Sequence, residues 1–440
     1  MNDPARLSAT SGKGSGPGAD PAAHDRSRLA LLDAGLYRFL EYYYRDFGIT
    51  LLKPWREDYP LVAWEMPADR QADLAGLLQF VGPERHPAVP GDFAFEAHLA
   101  ARRQAHHPEL VNNPTFCLRH FDTRRVQVVG GLIGNYFDAL DTCDVLEEEL
   151  LQAWAAHAPR PEEYDQFAER WLPKREALRK FCQARSPDNA RSSVVSPITC
   201  GDGRSAAIAI ATLTVFRVKQ PPTDKFQAFF ALRSGFVANH PRMLHVAPSG
   251  MFQPTGPWNA PWGAGDCRKA WDIRHHVYRE LLEEVFNYDE EALYGMTAEE
   301  LHGLPEVRHL RSLMEPPAGV KPGAQLLVTA VIVNLLNLRL EICTVLLIHD
   351  PSWYRRHARR EGVRPFCYNA EFASAGELQG KSQRLFNQID LWSDGHMFSE
   401  DEIIQEIGDV SAAHIVAPGA AALWFGFRAA QRRIPQIAAE

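Results

Sequence analysis

The sequence predicts an α/β protein built on a mixed sheet and preceded by a mainly helical N-terminal region. Three observations carry that expectation. Ile208, Ile210, Thr212, Thr214 and Phe216 recur at every second position, and after a Pro221-Pro222-Thr223-Asp224 turn residues 226–233 repeat the style, as a β-hairpin does. Residues 326–336 and 341–348 are apolar and β-branched over lengths that suit two buried strands. Between these strand pairs, residues 271–286 place apolar side chains at helical spacing.

Taken in chain order, residues 1–27 hold Ser, Gly, Pro and Ala without an apolar stretch and read as a disordered tail, not a signal peptide. Residues 28–192 form the N-terminal region. Leu29, Leu32, Leu36, Phe39, Leu40 and Tyr43 mark an amphipathic helix over 27–44. Seven prolines between 51 and 114 leave room only for short helices near 70–80 and 93–104. Residues 115–131 suggest two strands around a turn at 122–125, and helices follow over 136–155 and 163–185, the second interrupted at Pro173. The α/β domain is expected over 193–440. In it a strand at 243–247 leads through Pro248, Ser249 and Gly250 into a Pro/Gly/Trp-rich loop, and the last helices are 399–407, with Ser399 and Glu402 as a capping box, and 418–432.

The net charge of −8 excludes a generic nucleic-acid coat, and no direct nucleic-acid binding is expected. The longest apolar runs fall short of the ~18 residues that a membrane span needs. A cytoplasmic protein without a membrane partner is expected. Seven scattered cysteines with no C-x-x-C pair indicate neither a disulfide frame nor a zinc knuckle.

The helix at 271–286 reads W-D-I-R-H-H-V-Y-R-E-L-L-E-E-V-F. At ~100° per residue, Ile273, Val277, Leu281 and Val285 form one stripe, while His276, Glu280, Glu283 and Glu284 share an adjoining arc. Such carboxylates raise one another's pKa unless a cation or several donors sit among them, and a hard divalent ion meets that need. Arg279, four residues before Glu283, is placed to fix its rotamer. The bland alternative is a surface helix with solvated ion pairs.

These residues resemble the Nudix box, G-x5-E-x7-R-E-U-x-E-E-x-G-U. Arg279-Glu280-Leu281-Leu282-Glu283-Glu284 fits the R-E-U-x-E-E core at every position. Trp271 stands in the place of the first glutamate, Phe286 in that of the later glycine and Asn287 in that of the last aliphatic residue. Gly265 has the spacing of the box glycine; in the preferred alignment Pro248-Ser249-Gly250 stands for the glycine turn and 253–266 is an insertion. Two further stretches, 136–142 and 335–342, look like those of a Nudix-like group in actinomycete proteins. The resemblance implies a Nudix-like α/β/α sandwich with a mixed sheet, Mg²⁺ or Mn²⁺, and hydrolysis of a nucleoside diphosphate linked to another group. It makes Glu280, Glu283 and Glu284 the metal ligands, with Glu283 and Glu284 catalytic. The altered box gives the alternative of a catalytically weak or inactive ligand-sensing module, and a plain interaction scaffold is the third option.

Other groups are weighed against that frame. Asn337, Arg339 and Glu341 alternate, so in a strand they share one side. Arg339 and Glu341 should pair with each other or meet a ligand, and Glu341 is a candidate general base or extra metal ligand. Gly250, Phe252, Trp258, Trp262 and Arg339 are the candidate ligand-binding residues, the aromatic rings offering faces for a base. Trp271 could join them, and Arg233 and Arg242 could approach phosphates. Asp138, Asp141 and Asp144 could hold a cation but read more simply as a solvated acidic face. His276 is a candidate to join a metal; Ser249 lacks the surroundings of a nucleophile. The expected partner is a small nucleotide-like ligand, with a homo-oligomer or protein partner open.

Overall fold

A computed structural model of the chain describes residues 31–82, 99–106, 110–184, 196–220, 223–234, 237, 240–256, 264–358, 364–373, 388–393 and 395–438. The expected tail, Trp258 and Trp262 lie outside these residues.

The first helix, α1 (Ala34–Tyr43), starts later than its apolar stripe because the Asp33 side chain accepts the Leu36 N–H at 2.8 Å and caps it. It buries Leu36, Phe39, Leu40 and Tyr43. The proline-rich segment holds more than short helices. It supplies a strand, β1 (Leu61–Glu65), antiparallel to residues 330–334. Leu74–Leu77 form one helical turn that runs into β2 (Leu78–Phe80), and α2 (Leu99–His106) is the described part of the helix expected over 93–104. The hairpin of β3 (Pro114–Asp122) and β4 (Gln127–Asn135) turns where expected, with the Asp122 carboxylate accepting the N–H groups of Arg124 and Arg125 at 3.0 and 3.1 Å. β2 lies parallel to β4. Residues 136–157 form one long helix, α3, made of Tyr136–Ala139, a π turn at Leu140–Asp144 and Val145–His157. α4 (Tyr164–Trp171) and α5 (Pro173–Ala184) break at the expected proline.

β5 (Ala209–Gln220) and β6 (Thr223–Leu232) form the predicted hairpin. β7 (Leu244–Val246) pairs with the end of β6, and β8 (Ser249–Met251) with residues 209–211 of β5. One edge of β5 is therefore shared between β8 and β6. Helices α6 (Ala264–Ala270), α7 (Ile273–Glu280, continued by a π turn at Leu281–Val285), α8 (Glu290–Tyr294), α9 (Ala298–His302) and α10 (Pro305–Met314) come next. They are followed by β9 (Ala324–Asn334), β10 (Arg339–Ile348), α11 (Pro351–Ala358), β11 (Gln388–Ser393), β12 (His396–Met397), α12 (Glu400–Ile407) and α13 (Ala417–Ala438). Ser399 and Glu402 cap α12 reciprocally, as read from the sequence.

The protein is thus mixed α/β, with a curled mixed sheet in the order β1-β9-β10-β5-β6-β11-β12. β10 and β5 run parallel; the other neighbours are antiparallel. Thr212 and Thr344 share a buried hydroxyl hydrogen bond of 2.8 Å across the parallel pair. α13 packs on β5, β9 and β10, and a Cβ at Gly426 would meet the Leu213 side chain at 2.9 Å, so glycine lets helix and strand approach. The turn from β9 to β10 is clamped by two buried arginines: Arg175 donates to the Leu335 carbonyl at 2.8 Å and Arg204 to that of Leu338 at 3.1 Å. Among the described residues no helix is long and apolar enough to cross a membrane.

Candidate functional site

α7 is buried on every side, which removes the surface-helix alternative for R-E-L-L-E-E. The Asp272 side chain caps its start by accepting the Arg274 N–H at 2.6 Å, and Trp271 anchors it edge-on to Phe116 and Phe252 at 5.2 and 5.9 Å. Phe252 is fully buried and stacks on His276 at 3.9 Å. Both belong to the core behind the helix, correcting two expectations: Phe252 is no ligand platform, and His276 does not join the carboxylates. Beyond Glu280 the helix widens at Leu281–Val285, and this π turn re-aims Glu283 and Glu284 relative to a regular-helix projection.

The acids gather around one arginine. Arg279 bonds Glu280 and reaches Glu283 at 3.3 Å, the rotamer-fixing pair expected from the spacing. Its terminal nitrogens also donate to the Tyr294 hydroxyl and the Met251 carbonyl, both at 2.9 Å. The Glu284 carboxylate accepts the Ser249 N–H at 2.8 Å and so fastens the β7–β8 turn to α7. Gly250 lies against the Glu280 carboxyl, whose space a Cβ would fill. The glycine turn and the acidic helix singled out in the sequence are therefore in contact. Two acids with no sequence signal join them: Glu290, which accepts from the Asn113 amide at 3.1 Å, and Glu371, 3.6 Å from Arg233.

Glu280, Glu283, Glu290, Glu371, Arg233 and Gly250 line one cavity of about 390 Å³, within the range of small-molecule sites. Its electrostatics are lopsided. Burial pushes the Glu280 carboxyl up to about 8 against the pull of Arg279, with Glu371 and Glu290 adding repulsion. Burial raises Glu283 and Glu284 well above the ordinary carboxylate range, helped by Glu280 for the first and by Glu371 for the second. Burial also raises Glu290. Repulsion was the expected cause; withdrawal from water is the larger one.

Asn337, in the turn before β10 and not in a strand with the other two, lines the same cavity as Arg339 and Glu341 near the start of β10. Arg339 pairs not with Glu341 but with Asp144 of α3, at 3.3 Å, and the second Asp144 oxygen takes Arg103 at 3.0 Å. Burial would raise Asp144; Arg339 and Arg103 overcome it and hold the carboxyl below its ordinary value. Asp138, Asp141 and Asp144 do not share one solvated face: Asp138 is exposed, Asp141 half-buried and Asp144 buried. Asp141 accepts the Ala100 N–H at 2.8 Å, Asp138 the Asn135 amide at 3.2 Å, and Asp144 is an ion-pair hub. Glu147 accepts from the Asn337 amide at 3.1 Å. Glu341 makes no hydrogen bond or ion pair with a described residue, and burial, with Arg339 opposing, pushes it up to about 7.

Oxygen donors with uncompensated charge suit Mg²⁺ or Mn²⁺ chemically. As the side chains stand, Arg279 and the Ser249 N–H hold three of them, and among the described residues no three His, Cys, Asp or Glu side chains are arranged to grip a metal ion. No protein-family model matches the chain, and a search of curated proteins finds no match.

Proposed function

We propose that the cavity is the site of a Nudix-like, divalent-cation-dependent hydrolase acting on a nucleoside diphosphate linked to another group. The observation that supports this reading is three buried carboxyl groups, Glu280, Glu283 and Glu284, gathered near one guanidinium. Glu280 and Glu283 would hold Mg²⁺ or Mn²⁺, and Glu284, tied to the Ser249 N–H, would keep the glycine turn against them. Bound there, the ion would neutralise phosphate charge and lower the pKa of a water. Arg279 restrains Glu280 and Glu283, and Arg233 reaches the cavity as a cation for phosphate oxygens. A Nudix-like α/β/α sandwich over 193–440 is part of the same proposal, supported by the hairpin before the helix and the β9–β10 pair after it.

The test is release of phosphate or mononucleotide from a panel of ADP-ribose, dinucleotides and nucleotide sugars, with Mg²⁺ and with Mn²⁺. Turnover should fall by at least about 100-fold in Glu283→Gln, since losing a ligand costs a metal site no less than losing an outer partner does. The second reading, a ligand sensor without turnover, is favoured by Arg279 occupying the space between Glu280 and Glu283. Stabilisation by the panel without release of product would select it, and absence of both effects would leave neither.

A further inference from the structure

Glu341 is the feature that the hydrolytic reading leaves unused. Half-buried near the start of β10, it lines the cavity with no hydrogen bond or ion pair to a described residue, while the low-dielectric surroundings disfavour its charge. Its place is not free to relax. Arg175 and Arg204 clamp the preceding turn, Glu341 sits opposite Ile332 and Ala209 in the middle of the sheet, and Asp144 fixes the neighbouring Arg339. The charges acting on it come from Arg339 and Asp144, not from the acids of α7. A carboxyl without a donor therefore stands beside a restrained guanidinium, at the end of the cavity lined by α3 and β10.

We infer that Glu341 and Arg339 form a subsite for a hydroxyl-bearing glycosyl group carried beyond the diphosphate of the ligand. A sugar hydroxyl both donates and accepts, so adjacent hydroxyls satisfy a carboxyl and a guanidinium together. Asn337, whose amide is held by Glu147, adds a further polar group at the same end. A nucleobase fits this end less well, since among the described residues its lining offers Tyr136 as the sole aromatic ring beside these three side chains. The inference rests on the diphosphate reading and assigns the second half of that ligand.

The experiment is calorimetric titration of the full chain with ADP and with ADP-ribose, each carrying a methylene bridge in place of the diphosphate oxygen so that it is not hydrolysed, in the presence of Mn²⁺, for the native protein and for Glu341→Gln and Glu341→Leu. ADP-ribose should bind at least about tenfold more tightly than ADP, as one hydrogen bond to a charged group provides. That preference should shrink about tenfold in Glu341→Leu and by less in Glu341→Gln, which keeps an acceptor. Thermal unfolding of each variant checks that the fold is retained; removal of a strained acid should not lower it. Equal binding of ADP and ADP-ribose overturns the subsite and leaves the diphosphate site standing. A preference that survives in both variants assigns the sugar elsewhere and also overturns it. No binding of either ligand sinks the subsite and the hydrolytic reading together.

Discussion

Two acidic helices, α3 and α7, each widen into a π turn, and the two turns solve the burial of acid in opposite ways. In α3 one carboxylate, Asp144, lies between two guanidinium groups and is held ionised. In α7 one guanidinium, Arg279, lies between two carboxyl groups, with Glu284, Glu290 and Glu371 close by, and the acids are driven toward their protonated forms. The first arrangement is closed and structural. The second is short of positive charge, which is the condition for taking up a cation.

The difference can be broken by mutation. Asp144→Asn removes the charge that Arg103 and Arg339 share and should cost about 3–5 kcal/mol, read from urea unfolding at pH 7. Gly250→Ala drives a methyl group into the Glu280 carboxyl and should cost about 1–3 kcal/mol, the range for overpacking. Glu283→Gln, by contrast, replaces an acid that already favours its neutral form and should change stability by less than about 1 kcal/mol without metal. A loss as large as that of Asp144→Asn would show that Glu283 is a structural anion.

The same contrast has a pH dependence. Glu280 titrates at about 8 in the folded chain against an ordinary 4.5, and Glu341 at about 7. The folded state then binds more protons than the unfolded state across that window, so metal-free stability falls as pH rises from 4.5 through 8. The limiting slope is about 1.4 kcal/mol per pH unit for each such group. Asp144 acts with the opposite sign, its contribution being present at neutral pH and lost in acid. Urea midpoints across pH 5–8.5 would check both, and a stability that rises over that range would contradict the first.

Much of this was legible in the sequence, for local reasons. Alternation announced β5 and β6, continuous apolar β-branched runs announced β9 and β10, and the Arg279–Glu283 spacing announced its ion pair. β1 was hidden because five residues among prolines carry too little period, and its partner lies far along the chain. Asp144 looked solvated because its partners, Arg103 and Arg339, are 41 and 195 residues away. Glu290 and Glu371 carried no signal, since one opens an ordinary helix and the other sits in irregular chain. The π turns left no mark in the apolar spacing, and His276 was placed with the acids because its stacking partner, Phe252, lies on a different element.

The claim beneath all of this is that the α7 acids hold protons that a cation can replace. Titrating Mn²⁺ into the metal-free chain at pH 7 in buffers of different ionisation enthalpy counts the protons released per ion bound. The account predicts that Mn²⁺ binds and releases about one proton or more; binding with no release, or no binding at all, would contradict it.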